Sequence, residues 1–360
     1  MTTVRELVGK LEQIAPPWMA DEGDAIGLQV GDRAREARRV CTAVDPSAAV
    51  VDLALAQQAD LLVTHHPLIH SPLKSLAAGE PIADRVAKLV RADVALYVMH
   101  TNYDTVPGGV NDALARKLGV VETSPMTTRR QDKYHKLVVF VPEEAVERVR
   151  NAMAEAGAGR IGLYTHCSFR ARGVGSFLPQ AGAQPHVGKA GRLEEVEEWR
   201  LEMICTESAL DGVISAMREA HPYEEVAYDV YELANEPVKL GYGRVGVLAE
   251  ETSLGEFAEH VRNILDVRFP KIAGDLKKRI KSVALCSGGG ASLHREAASA
   301  GADVYVTGDW RHHDISGATD LGLAVIDAGH FETEKPGMVA LAERLAVDPE
   351  WQSVKVGYIE

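Results

Sequence analysis

The chain has 360 residues, 46% of them hydrophobic, and 52 acidic against 39 basic side chains leave a formal charge of -13. Clustered positive charge is what counterion release rewards, so this acidic balance excludes nucleic acid as a general partner; no apolar run approaches the ~20 residues a membrane helix needs. Cys41, Cys167, Cys205 and Cys286 are dispersed with no C-x-x-C spacing, which excludes a disulfide framework and a thiolate zinc site, and the opening Met1-Thr2-Thr3-Val4-Arg5-Glu6-Leu7 lacks signal-peptide character, so a cytoplasmic location is expected.

In chain order, Val4 to Ile14 carries leucines and isoleucines at helical spacing and stops before Pro16-Pro17, predicting an opening helix. A strand at Val40 to Val44 follows, then a helix at Ala48 to Gln57, a strand at Leu61 to Thr64, a helix at Ile82 to Val90 and a strand at Val94 to Met99. Strands alternating with helices imply a largely parallel sheet with both faces covered. Ligands of such sheets gather beyond the carboxyl ends of the strands.

The pattern changes near Lys133. Two strand-helix-strand copies are expected there: Leu137 to Val141, Glu144 to Ala156 and further strands, then Arg200 to Cys205, Leu210 to Ala220 and Val226 to Tyr231. A weak repeat supports the division, with Glu144-Ala145 leading to Ala152-Met153-Ala154-Glu155-Ala156 and Ser208-Ala209 leading to Ala216-Met217-Arg218-Glu219-Ala220 at the same offset. Such doubling suggests a ferredoxin-like module, with Gly173 to Gly191 as an irregular connection.

After Gly241-Tyr242-Gly243 the first pattern returns: strands at Val245 to Leu248, Val283 to Cys286, Val304 to Thr307 and Leu323 to Ile326, and helices at Leu254 to Leu265, Leu293 to Ala300 and Phe331 to Leu345. Ala59 to His66 and Ala302 to Asp309 look alike. The fold class expected is therefore a split α/β/α domain with a mostly parallel sheet, residues 1–132 and 236–360, interrupted by a ferredoxin-like α+β insertion at 133–235.

Three of the strands end in chemistry-bearing residues. His65-His66 follows Leu61 to Thr64, His100-Thr101-Asn102-Tyr103-Asp104 follows Val94 to Met99, and Asp327 to Glu334 follows Leu323 to Ile326. Successive side chains of an extended segment point in opposite directions, so His65 and His66 are poorly placed for one ion but can serve two. His330 and Glu334 stand i, i+4, on one face of a helix; taken alone they describe a solvated helix start better than a ligand pair, whereas His100 and Asp104 equally describe a strand end with a capping Asp. Imidazole with carboxylate suits Zn, Mn, Fe or Co, and three His with two bridging carboxylates can hold two ions roughly 3.5–4 Å apart, leaving positions open for hydrolytic chemistry. Cys286 to Ser292 reads as a strand-helix turn whose N–H groups can cradle a phosphate, although no Lys-Ser or Lys-Thr makes it a P-loop. His313 fits a proton-transfer or supporting group, and His221-Pro222-Tyr223-Glu224-Glu225 a helix stop and turn.

Together these residues resemble the Nif-three-like dinuclear metal-centre family, whose members are often labelled GTP cyclohydrolase one type two homologs. The likeness is carried by Asp24 to Gly31, Thr64-His65-His66-Pro67-Leu68-Ile69, His100-Thr101-Asn102-Tyr103-Asp104, Ser287-Gly288-Gly289-Gly290, Thr307-Gly308-Asp309 and Gly329 to Glu334, and runs over nearly the whole chain. It implies a homohexamer with two divalent ions per subunit (Zn, Fe, Mn or Co) at residues matching His65, His66, Asp104, His330 and Glu334, with His100 and His313 nearby as groups that move protons. The insertion resembles a PII- or CutA-like module. The function implied is a metal-dependent hydrolase of a nucleotide-like small molecule, with a non-catalytic metal-binding scaffold as the alternative.

Overall fold

The computed structural model describes residues 2–360. The chain forms two compact units: a discontinuous one that ends at Arg129 and resumes at Leu240, and a continuous one, Arg130–Lys239.

The discontinuous unit is built on two sheets. One has five strands in the order Gly27–Val30, Ala95–Val98, Leu61–Thr64, Arg39–Ala43, Lys355–Tyr358, and the other six, in the order Lys271–Ala273, Ala324–Asp327, Val304–Thr307, Arg279–Leu285, Arg244–Ser253, Val120–Pro125. Parallel pairing joins the four strands from Ala95–Val98 to Lys355–Tyr358 and the three from Ala324–Asp327 to Arg279–Leu285. Antiparallel strands flank them: Gly27–Val30 beside Ala95–Val98, Lys271–Ala273 beside Ala324–Asp327, and Arg244–Ser253 beside Arg279–Leu285. The central strands Leu61–Thr64, Ala95–Val98, Val304–Thr307 and Ala324–Asp327 are buried at every position, the burial that their unbroken apolar runs require when both faces are covered.

The halves interlock. Val120–Pro125, from the first half, pairs with Arg244–Ser253 of the second, while Lys355–Tyr358, from the end of the chain, pairs with Arg39–Ala43. The helix His330–Val347 supplies Met338, Leu341 and Leu345 to a core shared with Val4, Leu7, Leu61, Val63 and Tyr97. It crosses the helix Val110–Leu118 closely at Gly337, where a Cβ would stand 2.8 Å from Val110. These contacts bring the strand ends of both sheets together.

The continuous unit runs strand Tyr134–Val141, helix Val146–Glu155, strands Ser168–Phe177 and Glu194–Thr206, helix Glu207–Ala220 and strand Tyr228–Glu232. Its four-stranded sheet is antiparallel throughout, and the two helices close one core with Leu137, Val139, Val149, Met153, Leu201 and Val213. His221 stops the second helix and anchors the turn after it. Its Nε2–H donates to the Phe140 carbonyl at 3.0 Å and its Nδ1 accepts the Tyr223 N–H at 3.1 Å, and burial lowers its pKa, so the ring serves as a neutral strut. Among the described residues no helix is long and apolar enough to cross a membrane.

Candidate metal centre

Four imidazoles and two carboxylates converge beyond the strand ends of the discontinuous unit. The strand Leu61–Thr64 stops one residue before His65, and the chain bends there. The bend overturns the divergent arrangement expected of an extended His-His pair: the ring centroids are 5.1 Å apart and both rings face Glu334. His65 Nε2 lies 3.5 Å from Glu334 Oε1, and His66 Nε2 lies 3.3 Å from Oε2. His330, one helical turn before Glu334, places Nε2 3.1 Å from Oε1 and 3.4 Å from His66 Nε2. Asp104 comes from the short helix Thr101–Thr105 and sets Oδ1 3.7 Å from His65 Nε2. His100 completes a trio with His65 and His66, whose ligating atoms lie within 4.8 Å of one another, as do those of His66, His330 and Glu334.

Each imidazole is oriented by an acceptor on its far nitrogen. His65 Nδ1 meets the Met99 carbonyl at 2.9 Å, His66 Nδ1 meets Asp45 at 2.8 Å, His100 Nδ1 meets Asp24 at 2.8 Å, and His330 Nδ1 meets Asp309 at 2.7 Å. A carbonyl oxygen cannot donate, so His65 Nδ1 carries the proton and Nε2 turns a lone pair inward. Asp45, Asp24 and Asp309 engage Nδ1 of the other three in the same way and leave each Nε2 turned toward the cluster. This is the arrangement that supports metal-ligating histidines elsewhere. Two of the convergent atoms, His65 Nε2 and Glu334 Oε2, are buried without a hydrogen-bond partner. Buried polar atoms seldom go unpaired, and lone pairs of four imidazoles facing two carboxylates call for cations between them. The residues fit a divalent metal centre.

Electrostatics follow the same logic. Burial pushes Glu334 up, but His65, His330 and His66 around it outweigh burial and hold it well below the usual carboxylate range. For Asp104 burial wins over His65, and its pKa is raised. His66 rises to about 10, since Asp45 and Glu334 overcome its burial, and His330 rises to about 9 through its hydrogen bond to Glu334. Both shifts show how strongly this group of side chains favours positive charge at its centre.

Two expectations change. Three N–H groups of the glycine turn are spent inside the protein: Ser287 N on Asn111, Gly288 N on Thr333 and Gly290 N on Thr307. These three N–H groups are therefore not free to cradle a phosphate. Instead Gly288, at φ +63, makes room for the cluster, because a Cβ there would stand 2.3 Å from Glu334 Oε1 and 3.2 Å from His330 Nε2. His313 is also not brought in; it is exposed on the helix His312–Asp320, its ring beside that of His312. Burial pushes the thiol of Cys286, beside the site, up to about 12, which disfavours the thiolate.

Asp45 and Asp309, now seen as supports of His66 and His330, had no spacing signal. Each follows a strand end, Arg39–Ala43 and Val304–Thr307; that position was the only cue to Asp45, while Asp309 also closes the Thr307-Gly308-Asp309 segment that carries the family resemblance. Gln29 was also missed as a support: its Oε1 accepts the N–H groups of Leu68 and Ile69, pinning the loop after His66. Next to the cluster a cavity of about 560 Å³ is lined by Thr101, Thr127, Arg129, Tyr242, Ser292 and Glu296 besides the cluster residues.

A family profile described as Duf34/NIF3 (NGG1p interacting factor 3) matches residues 2–360. The chain belongs to the DUF34/NIF3 family. It is 42% identical over 327 residues to a Bacillus subtilis protein named GTP cyclohydrolase 1 type 2 homolog, covering 91% of this chain and 88% of that one. A Mycobacterium tuberculosis protein of the same name is 38% identical over 344 residues, covering 94% and 90%. Among solved structures, a Bacillus cereus protein related to NIF3 superimposes with a TM-score of 0.85 at 41% identity, covering 99% of this chain and 96% of that one. Staphylococcus aureus protein SA1388 matches with a TM-score of 0.68 at 26% identity, covering 99% and 95%.

Proposed function

We propose that this DUF34/NIF3 protein is a metal-dependent hydrolase whose centre holds two divalent ions, Zn, Fe, Mn or Co, between His65, His66, Asp104, His330 and Glu334. The observation that carries the reading is the pair of buried, unpartnered ligand atoms, His65 Nε2 and Glu334 Oε2, inside a ring of imidazoles whose other nitrogens are all engaged. Glu334 turns one oxygen toward His65 and His330 and the other toward His66, and with Asp104 it would supply the carboxylate charge that holds the ions. Two bound ions would supply Lewis acidity for attack of water on a polarised bond. His100, held by Asp24, is assigned to proton transfer at the edge of the cluster or to a place among the ligands. The adjoining cavity argues for catalysis over a closed scaffold.

The substrate class we favour is a small nucleotide-like molecule. Its support is the name carried by the relatives, GTP cyclohydrolase 1 type 2 homolog, and a cavity whose outer wall stacks the Arg129 guanidinium 5.1 Å over the Tyr242 ring. A cytoplasmic homohexamer is the assembly proposed with it. The test is elemental analysis of purified protein with a hydrolase screen that includes GTP, comparing wild type with His65→Ala and Glu334→Ala. Two metal equivalents and turnover in wild type, both lost in the variants, are expected. Metal without any turnover would replace the hydrolase with a metal-binding scaffold.

A further inference from the structure

We infer that Asn111 is the positioning residue that locks Asp104 of the first half onto the glycine turn of the second, and that metal affinity depends on its two hydrogen bonds; this rests on the metal centre proposed above. Asn111 is fully buried at the start of the helix Val110–Leu118. Its Nδ2–H donates to the Asp104 main-chain carbonyl at 3.0 Å, and its Oδ1 accepts the Ser287 N–H at 2.8 Å. The Ser287 hydroxyl then donates to Asp104 Oδ1 at 3.2 Å. A closed circuit results, from Asp104 main chain through Asn111 and Ser287 back to the Asp104 carboxylate.

The circuit does two things that packing alone cannot. It holds the Asp104 carboxylate where its Oδ1 faces His65 Nε2 at 3.7 Å. It also fixes the spacing between Asp104 and Gly288, the residue after Ser287, against which Glu334 and His330 pack. The two carboxylates of the cluster reach it from opposite halves of the chain, and Asn111 ties the loop of one to the turn beneath the other. The amide orientation is forced, because the Ser287 N–H can only donate and the Asp104 carbonyl can only accept. Arg244 stiffens the same helix start: it is 3% exposed, donates to both Asp112 oxygens at 2.7 and 3.0 Å, and donates to the carbonyls of Gly241, Gly243 and Val106.

The experiment compares wild type, Asn111→Ala, Ser287→Ala, the double variant and Leu114→Ala, a core truncation on the same helix. Each full-length protein is stripped with chelator and titrated with Co²⁺, reading stoichiometry, affinity and the ligand-field absorption of the bound ion. Asn111→Ala is expected to weaken binding at one of the two positions by about 10–100-fold, the range for loss of a group that orients a ligand, and to alter that absorption. The Asn111 and Ser287 effects should combine less than additively, since both act through Asp104. Leu114→Ala should lower the unfolding temperature yet leave affinity and spectrum as in wild type. If Asn111→Ala binds two Co²⁺ with wild-type affinity and absorption, or if Leu114→Ala loses metal equally, the positioning role is overturned while the metal centre stands. If wild type itself takes up no Co²⁺, the centre and the inference fall together.

Discussion

Gly288→Ala isolates the demand that the cluster makes on the turn beside it. Two costs arise. The first is conformational: φ of +63 is left-handed, where a non-glycine residue costs about 1–2 kcal/mol. The second is steric and falls on the centre, because the new Cβ would stand 2.3 Å from Glu334 Oε1, whereas ordinary contact begins at 3.4 Å. The carboxylate must therefore retreat by 3.4 − 2.3 = 1.1 Å, against a tolerance of about 0.2 Å in metal–ligand distance. Gly322→Ala separates the two costs, since Gly322 has φ +77 with nothing within 4 Å of the added atom.

The assay is thermal unfolding with and without Mn²⁺, paired with elemental analysis. At about 2–4 °C per kcal/mol for a unit of this size, Gly322→Ala should lose about 2–8 °C in both conditions and keep its metal. Gly288→Ala should lose at least as much without metal and, in addition, the whole metal-dependent rise, with affinity down about 100-fold. A Gly288→Ala protein that retains wild-type metal content and the wild-type rise would refute the account of why this residue is glycine.

Three other outcomes follow from the same structure. In metal-free protein His66 and His330 titrate at about 10 and about 9, against an ordinary value near 6.5, so the stability they contribute as cations is full below about pH 6.5 and lost as pH rises through 9 to 10; the metal-induced rise in unfolding temperature should widen over that window, and a rise that stays flat from pH 6.5 to 9 would contradict it. Cys286 and Cys205, pushed up to about 12 and about 11 by burial, should resist iodoacetamide at pH 8 in folded protein while Cys167, at the surface, is labelled, which peptide mapping by mass spectrometry decides. Arg244→Met should cost about 3–5 kcal/mol in chemical denaturation, because it strands Asp112 without its buried partner; a loss under 1 kcal/mol would show the pair to be dispensable.

What could be read from the sequence was whatever local chemistry dictates. The helix Val4–Ile14 was legible because its helical spacing of apolar residues stops before Pro16-Pro17; the structure adds the Thr3 cap. The helix Leu254–Leu265 was legible with the same bounds, and the structure adds Ser253 as its cap. His65, His100 and His330 stood out because each follows an apolar run that burial on both faces turns into a strand. What escaped depends on pairings with no fixed separation in sequence. Asp45 meets His66 across 21 residues, Asp309 meets His330 across 21, and Asp24 meets His100 across 76. The glycine turn was legible only in part for a related reason: three of its N–H groups look free in sequence, and only the fold shows Asn111, Thr333 and Thr307 taking them.

The interlocked strands explain why such a centre can be assembled from distant segments at all. His65, His66 and Asp104 belong to the half that lends Val120–Pro125 to the other sheet, and His330 and Glu334 to the half that lends Lys355–Tyr358 in return. Neither half can drift without breaking a strand pairing, so the buried ligand atoms keep facing one another although they would repel when deprotonated. The energy that holds them is spent in the sheets and the shared core, and the centre uses the result. Divalent ions that bind only the assembled site would add to stability in proportion to the logarithm of their concentration, and truncating either exchanged strand should therefore abolish metal binding before it abolishes secondary structure.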